Sequence, residues 1–500
     1  MTASQVAVPR LRVIARPRFV HRIRAVLEQD ALSIAVVAAW TALLAVWMPK
    51  LLVQDSWLAF VDGRLIAQHG LPHTDTLTFW SLGRPWTDQQ WGAHLALYEL
   101  VRYGGLGLAI ALGIACVAAS VGLAAVAARK LGASSGSTAI GLLLPLLGAP
   151  WMTQVRAQSL ALVPFVLVYA LLAFDARLPG RRVLIVLPVL VVWANLHGSV
   201  VVGAGLTTLY GLTLLRRPQA RRRALLLVAG APLCVLASPY GFGLVAYYRL
   251  MLVSSPVGDF VQEWKAPSVQ GATAVFFISA FTITALWARH PRAVTSFERW
   301  AIALLLVAAL TAVRNVIWFE LAAAVTFPRL LDAVWRSRAT PTSSVRRINL
   351  LVGSVATVTT VAVLAAQFAR PSAWLERDLP PAAAAAVAAA AGPHGIVLAD
   401  DAHADWLLWQ QPSLAGRVAY DVRFELFNRR ELVQISQLEH AAPQAWRRCG
   451  AGAKVVTFAG NGELQRFVGA GVLAPGRRTI TRGLQFAAIA QRSPAPACQL

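Results

Sequence analysis

The stretch Ala31 to Asp62, ALSIAVVAAWTALLAVWMPKLLVQDSWLAFVD, decides the fold. Residues 31–53 carry a single charge, Lys50, and a helix of that length crosses a hydrocarbon core of roughly 30 Å. The apolar run then stops abruptly at Leu51-Leu52-Val53 and Gln54-Asp55-Ser56-Trp57 follows. A carboxylate is thereby expected at the membrane surface on a rigid helix end, which is the placement a general base requires. Trp57 to Ile66 continues as an amphipathic stretch able to lie along the interface.

The rest of the chain repeats the pattern. With 57% hydrophobic and 14% charged residues over 500 positions, and a mean hydropathy of +0.58, it is too apolar for a soluble enzyme. A net charge of +23 would suggest nucleic acid in a soluble chain, but the basic residues cluster between apolar runs, where they orient spans. Nucleic acid is therefore excluded as a partner, and the bilayer takes its place. The four cysteines form no CxxC pair, so zinc and thioredoxin-type sites have no support.

Counting apolar runs gives eleven expected spans: about 31–53, 104–127, 136–151, 158–174, 183–195, 198–215, 224–238, 271–288, 300–313, 315–332 and 348–368. Two long apolar stretches are split, at Asn195-Leu196-His197-Gly198 and at Arg314-Asn315. Charge supports the splits. With the N-terminus inside, the inner segments hold 24 Lys and Arg, from Arg10 to Arg347, against eight in the outer loops. The expected class is thus a polytopic α-helical membrane protein with a small C-terminal external α/β domain. Residues 1–30 form a basic cytoplasmic N-terminus that is not cleaved, 31–369 the membrane region, 54–103 its main outer loop, and 370–500 the external domain.

In that last domain a helix or linker at 380–392 precedes strand-like runs at Gly395–Ala399, Arg417–Arg423, Ala453–Phe458 and Thr479–Gln491. They alternate with helical patterns at Ala404–Gln410, Phe427–His440 and Gly462–Gly469. Cys449 and Cys498 both fall on the external side, where a disulfide persists. A bridge between them and two free thiols both remain open.

Five of the seven acids in the outer loops of the membrane region, Asp55, Asp62, Asp75, Asp88 and Glu99, lie in the loop 54–103. That loop also resembles a known class. Asp55-Ser56-Trp57, Asp62-Gly63-Arg64-Leu65-Ile66, His69-Gly70, Thr74-Asp75-Thr76-Leu77-Thr78, Gly83-Arg84-Pro85-Trp86, Trp193-Ala194-Asn195-Leu196-His197-Gly198, Ser238-Pro239-Tyr240-Gly241 and Glu263-Trp264 resemble bacterial GT-C-type membrane glycosyltransferases. The resemblance implies a polyprenyl-phosphate sugar as donor, a glycan, lipid or protein acceptor in the cell envelope, and inversion with Asp55 as general base. Many such enzymes place a second acid beside the first, whereas here Ser56 follows Asp55.

An anionic leaving group needs cations near the outer face, and Arg156, Lys265 and Arg314 are the expected phosphate ligands, with Arg249 also available. Arg314 can equally be a helix-end arginine reaching to headgroups. Asp62, Asp75, Trp57 and His197 are the expected substrate contacts; Asp421 and Arg423 join them because Tyr420-Asp421-Val422-Arg423 resembles a strand-end motif in the external domains of related transferases, and a solvated strand end stays open for them. For Trp57, Trp80, Trp86 and Trp91, anchoring at the interface and sugar or lipid stacking both stay open. For His197, catalysis, hydrogen bonding and a structural role stay open. Glu320, inside a span, has arginine pairing and a proton relay open to it. Asp400-Asp401-Ala402-His403-Ala404-Asp405 reads as a strand end and helix N-terminus, with a metal cluster as the alternative. No spacing specifies a metal site or any other cofactor, and a divalent cation held by Asp55 with Asp62, Asp75 or Asp88 stays open. Other classes open to the chain are a transporter or flippase of lipid-linked saccharides and an O-antigen ligase or polymerase type of enzyme. A transporter spreads its essential polar groups through broken helices near the midplane, while here they gather on one face.

Overall fold

The computed structural model describes residues 19–253, 256–335, 343–473, 477–482, 485–496, 498 and 500. The basic residues Arg10, Arg12, Arg16, Arg18, Arg336 and Arg338, counted above as inner charges, lie outside the described residues.

Among the described residues, four helices are long and apolar enough to cross a membrane by length and composition: Ile23–Val46, Trp91–Lys130, Ala157–Arg177 and Ser343–Phe368. Of the shorter apolar helices, Val200–Leu214 packs against Ala157–Arg177, and Ala274–Arg289 packs against Val316–Val334. The helix Trp91–Lys130 has 40 residues, about 60 Å at 1.5 Å per residue and twice the hydrocarbon thickness. It breaks at Gly105, whose φ of 69° falls where side chains other than glycine are strained. The part before the break belongs to the outer loop, and the part after it coincides with the expected span from 104.

Both inferred splits fall at breaks in the helices. A turn over Asn195–Ser199 separates Val186–Ala194 from Val200–Leu214, and a 3-10 turn, Val313–Asn315, separates Ser296–Thr311 from Val316–Val334. The expected single span 136–151 is instead two short helices, Ser135–Gly141 and Leu143–Gly148, followed by the 3-10 turn Pro150–Thr153. Pro145 and Pro150 remove the donors that one continuous helix would need.

The helix Val316–Val334 is buried on every side from Val316 to Leu330, as expected for a segment apolar all round. Its charged side chains each find at least one neighbour, although Glu320 Oε2 and Arg329 Nε stay unpaired. The Ser279 hydroxyl donates to Glu320 Oε1 at 2.5 Å, and the arginine pairing open to Glu320 belongs instead to Glu298, which binds Arg329.

The C-terminal region holds a four-stranded sheet in the order β1-β2-β4-β3, with β1 Val397–Leu398, β2 Val455–Phe458, β3 Arg478–Arg482 and β4 Ala487–Ala490. β1 and β2 are parallel and the other pairs antiparallel. The one strand expected over Thr479–Gln491 is therefore two, β3 and β4. The strand expected at Arg417–Arg423 reduces to isolated bridges at Val418. Beyond it the Asp421 carboxylate captures the Arg423 amide at 2.9 Å, diverting the backbone into a turn.

These bridges join the C-terminal region to the first outer loop. Val418 pairs with Val397 on one side and with Thr78 on the other, and the amides of Phe79 and Trp80 donate to Val418 and Ala419 at 2.7 and 3.0 Å. Arg84 forks onto Glu431 with two bonds of 2.8 Å, and Trp80 stacks on Tyr420 at 5.6 Å. An exposed sheet edge is thereby covered, and loop and tail form one packed body. Cys449 and Cys498 are joined by a disulfide, with Cα atoms 5.2 Å apart, and the Cys498 carbonyl accepts from the Trp80 indole at 3.1 Å.

Candidate active site

Asp55 lies in the first turn of the helix Gln54–His69. That turn is clamped from two directions. The Ser56 hydroxyl accepts from the Val53 amide at 2.9 Å and donates to the Val155 carbonyl, while the Val155 amide donates to Leu51 at 2.9 Å. The clamp brings the residue after Val155 to the carboxylate. Arg156 Nη1 donates to Asp55 Oδ2 at 3.1 Å and to Glu263 Oε1 at 2.7 Å. The arginine is 6% exposed, and its Nη2 is buried without a hydrogen-bond partner. A buried donor left unpaired is costly, so this nitrogen is available to an acceptor that enters the site.

The cavity into which these groups open measures ≈ 160 Å³ and is lined by Asp55, Arg156, His197, Tyr247, Arg314 and Glu425 among others. Arg314 lies over the Trp264 ring at 4.1 Å, a cation–π contact that holds the guanidinium at the cavity wall. His197 Nδ1 accepts from the Ser199 amide at 3.1 Å, so a neutral ring carries its proton on Nε2. Burial, then the charges of Arg314 and Arg156, hold its pKa well below the usual histidine range. His197 is thus a neutral donor beside two arginines. Burial pushes the Glu425 carboxyl up to about 7. A second cavity of ≈ 320 Å³ shares Asp55, Arg156 and Glu263 and extends to Asp401 and Glu439 of the C-terminal region. Asp55 therefore borders two cavities.

Several expected contacts are spent on the fold instead. Trp57 is 3% exposed and meets Phe60 edge to face at 5.8 Å within the core, because it points away from the helix face that Asp55 occupies. Asp75 accepts from Leu77, Thr78 and Ser81 and pairs with Arg423 at 2.8 Å. Burial raises its pKa, but Arg423 and those hydrogen bonds outweigh this and hold it below the usual carboxylate range. Asp421 binds the same arginine through both oxygens, at 2.6 to 3.1 Å. Arg423 borders the cavity but is committed to two aspartates and lies over Trp86 at 4.5 Å. Only its Nη1 is without a partner. Lys265 is exposed and outside the cavity lining, with its carbonyl accepting from the Val313 amide at 2.9 Å; Arg249 is exposed too. Trp80 and Trp86 are each 7% exposed and pack on Tyr420 and Arg423.

Asp62 is completely buried away from the cavity lining and gathers with Asp88 and His94 rather than with Asp55. His94 Nδ1 lies 2.9 Å from Asp88 Oδ2 and 3.6 Å from Asp62 Oδ2. His94, Tyr247, Glu263 and Glu425 are the cavity or cluster residues that the sequence reading did not select as contacts. Glu263 carried a signal, since it is one of two acids in an otherwise acid-free outer segment.

No family model matches the chain, and no curated protein matches it. Among solved structures, ArnT from Cupriavidus metallidurans bound to undecaprenyl phosphate is similar over 92% of this chain and 98% of its own, at 15% identity and a TM-score of 0.47. Archaeal oligosaccharyltransferase AglB from Archaeoglobus fulgidus, in complex with an inhibitory peptide and a dolichol-phosphate, is similar over 84% of this chain and 68% of its own, at 12% identity and a TM-score of 0.46. With TM-scores below 0.5 these likenesses carry no chemistry to this chain, which rests on its own residues.

Proposed function

We propose that this chain is an integral membrane glycosyltransferase that moves a sugar from a polyprenyl-phosphate donor to an acceptor hydroxyl on the non-cytoplasmic side, with inversion. The observation that carries the proposal is Asp55 at a clamped helix end, bonded to a buried arginine whose second nitrogen is unpaired. In this reading the donor phosphate binds Arg156 Nη2 and Arg314, with the His197 Nε2 proton as a further donor; guanidinium suits phosphate recognition. The acceptor oxygen attacks the anomeric carbon from the face opposite the phosphate. Its proton passes to Asp55 as the new C–O bond forms, and the old C–O bond breaks with its electron pair retained on the phosphate. The cations then stabilise charge that develops on the leaving group. The two cavities that meet at Asp55 suit a donor on the arginine side and an acceptor on the side of Asp401 and Glu439.

The test uses purified full-length protein in proteoliposomes with a polyprenyl-phosphate sugar labelled in the sugar. Release of free polyprenyl phosphate together with a labelled product supports transfer. Movement of the intact lipid-linked sugar between leaflets without cleavage would replace this reading with the flippase one.

A further inference from the structure

The first outer loop also carries an inference that does not depend on the transferase reading, at a cluster of which one member, His94, lines the candidate active-site cavity as well. Asp62 has no exposed surface, and neither of its carboxylate oxygens has a hydrogen-bond partner. One ligand atom from each of Asp62, Asp88 and His94 lies within 4.8 Å of the other two. Ligand atoms on one ion at roughly 2.0–2.2 Å stand about 3 to 4 Å apart, and the 2.9 and 3.6 Å separations from His94 Nδ1 fall in that range. The carriers are held in place. Gly63, next to Asp62, lets the helix Gln54–His69 approach the helix Trp91–Lys130 so closely that an added Cβ would stand 2.2 Å from the His94 carbonyl. Asp88 Oδ1 accepts from the Gln90 amide at 3.0 Å, which orients the carboxylate and leaves Oδ2 toward His94.

Charge points the same way. Arg423, the nearby guanidinium, is taken by Asp75 and Asp421, and Asp405 adds another completely buried carboxylate. Five buried carboxylates, Asp62, Asp75, Asp88, Asp405 and Asp421, thus share one guanidinium, which reaches Asp62 only through space, and one imidazole. A buried anion needs a counter-charge or a proton.

We propose that Asp62, Asp88 and His94 bind a single divalent cation of the manganese or zinc type, which pins the helix Gln54–His69 to Asp88 and to the first turns of the helix Trp91–Lys130. An imidazole with two carboxylates suits such an ion better than magnesium or calcium, which take all-oxygen sites. Asp55 is not a ligand, which separates this site from the cation grouping with Asp55 left open by the sequence.

The experiment loads full-length protein in nanodiscs with Mn²⁺ or Zn²⁺, removes the excess, and counts bound metal by mass spectrometry beside a thermal unfolding scan with and without chelator. Wild type and Asp55→Asn are expected to retain one ion, while Asp62→Asn and His94→Gln lose affinity by about 10-fold or more. Chelator is expected to lower the wild-type Tm and leave that of Asp62→Asn unchanged. Asparagine matches a protonated Asp62 but not a ligand. No retained ion and no chelator effect in wild type, or equal retention by Asp62→Asn, would therefore overturn the proposal. So would loss of the ion in Asp55→Asn, because the site would then be that of the transfer chemistry.

Discussion

Replacing Arg156 by glutamine removes a group that touches both Asp55 and Glu263 and that offers an unpaired buried donor to the cavity. Hydrogen bonds to charged groups contribute about 1.5–3 kcal/mol each. Loss of one such bond to the donor phosphate corresponds to roughly a 10- to 150-fold fall in kcat/KM at about 1.4 kcal/mol per factor of ten. The effect is expected to divide between KM for the donor, through lost phosphate binding, and kcat, through a displaced Asp55. Arg156→Lys restores the charge but not the fork, so it is expected to recover only part of the loss. Initial rates in proteoliposomes over a range of donor concentrations give both parameters. The reasoning fails if Arg156→Gln is folded and inserted yet turns over with unchanged kcat/KM, because the unpaired nitrogen would then serve no ligand.

Arg314→Lys tests whether the residue over Trp264 binds phosphate or only reaches to headgroups: a fall in kcat/KM is expected, and unchanged kinetics would favour the second role. The bridge between Cys449 and Cys498 closes a 49-residue separation, which the loop-entropy account values at roughly 4 kcal/mol. Reduced protein is expected to be cleaved faster by protease within 485–500, and two free thiols there in unreduced protein would refute the bridge. Burial pushes Glu425 and Glu439 up to about 7, above their unfolded value near 4.3. The folded state therefore holds protons that the unfolded state has released, so these groups reduce stability as pH rises from about 4.3 to about 7. The Tm difference between wild type and a Glu425→Gln, Glu439→Gln double variant is expected to shift in the variant's favour over that window and to level off above it; a pH-independent difference would contradict the assignment.

The breaks within the long apolar stretches were legible in the sequence because Asn195, His197 and Arg314 are polar residues where a membrane helix tolerates few, and each lies at a turn or helix end. Asp55 was legible for a similar reason, as the first acid after a long apolar run. Its partner was not. Arg156 lies 101 positions away, and only the clamp between Leu51, Ser56 and Val155 brings the two together. Acids in the outer loop all look alike in sequence. In the fold, Asp75 and Asp421 are consumed by Arg423, a pairing between the first loop and the tail that depends on Thr78 bridging Val418. Glu425 stayed hidden because its significance comes from burial rather than from a motif. The turn at Asp421 to Arg423 looked like a strand because Val422 and its apolar neighbours mask a side chain that competes for the backbone.

Asp55→Asn tests the central claim most directly, because it keeps shape and hydrogen bonding and removes the base. Sugar transfer by the folded, inserted variant is expected to fall by roughly 10²- to 10⁴-fold, while donor binding, measured separately, changes little. Near-normal turnover would contradict the account, and loss of the same size in Glu425→Gln alone would move the base to that residue.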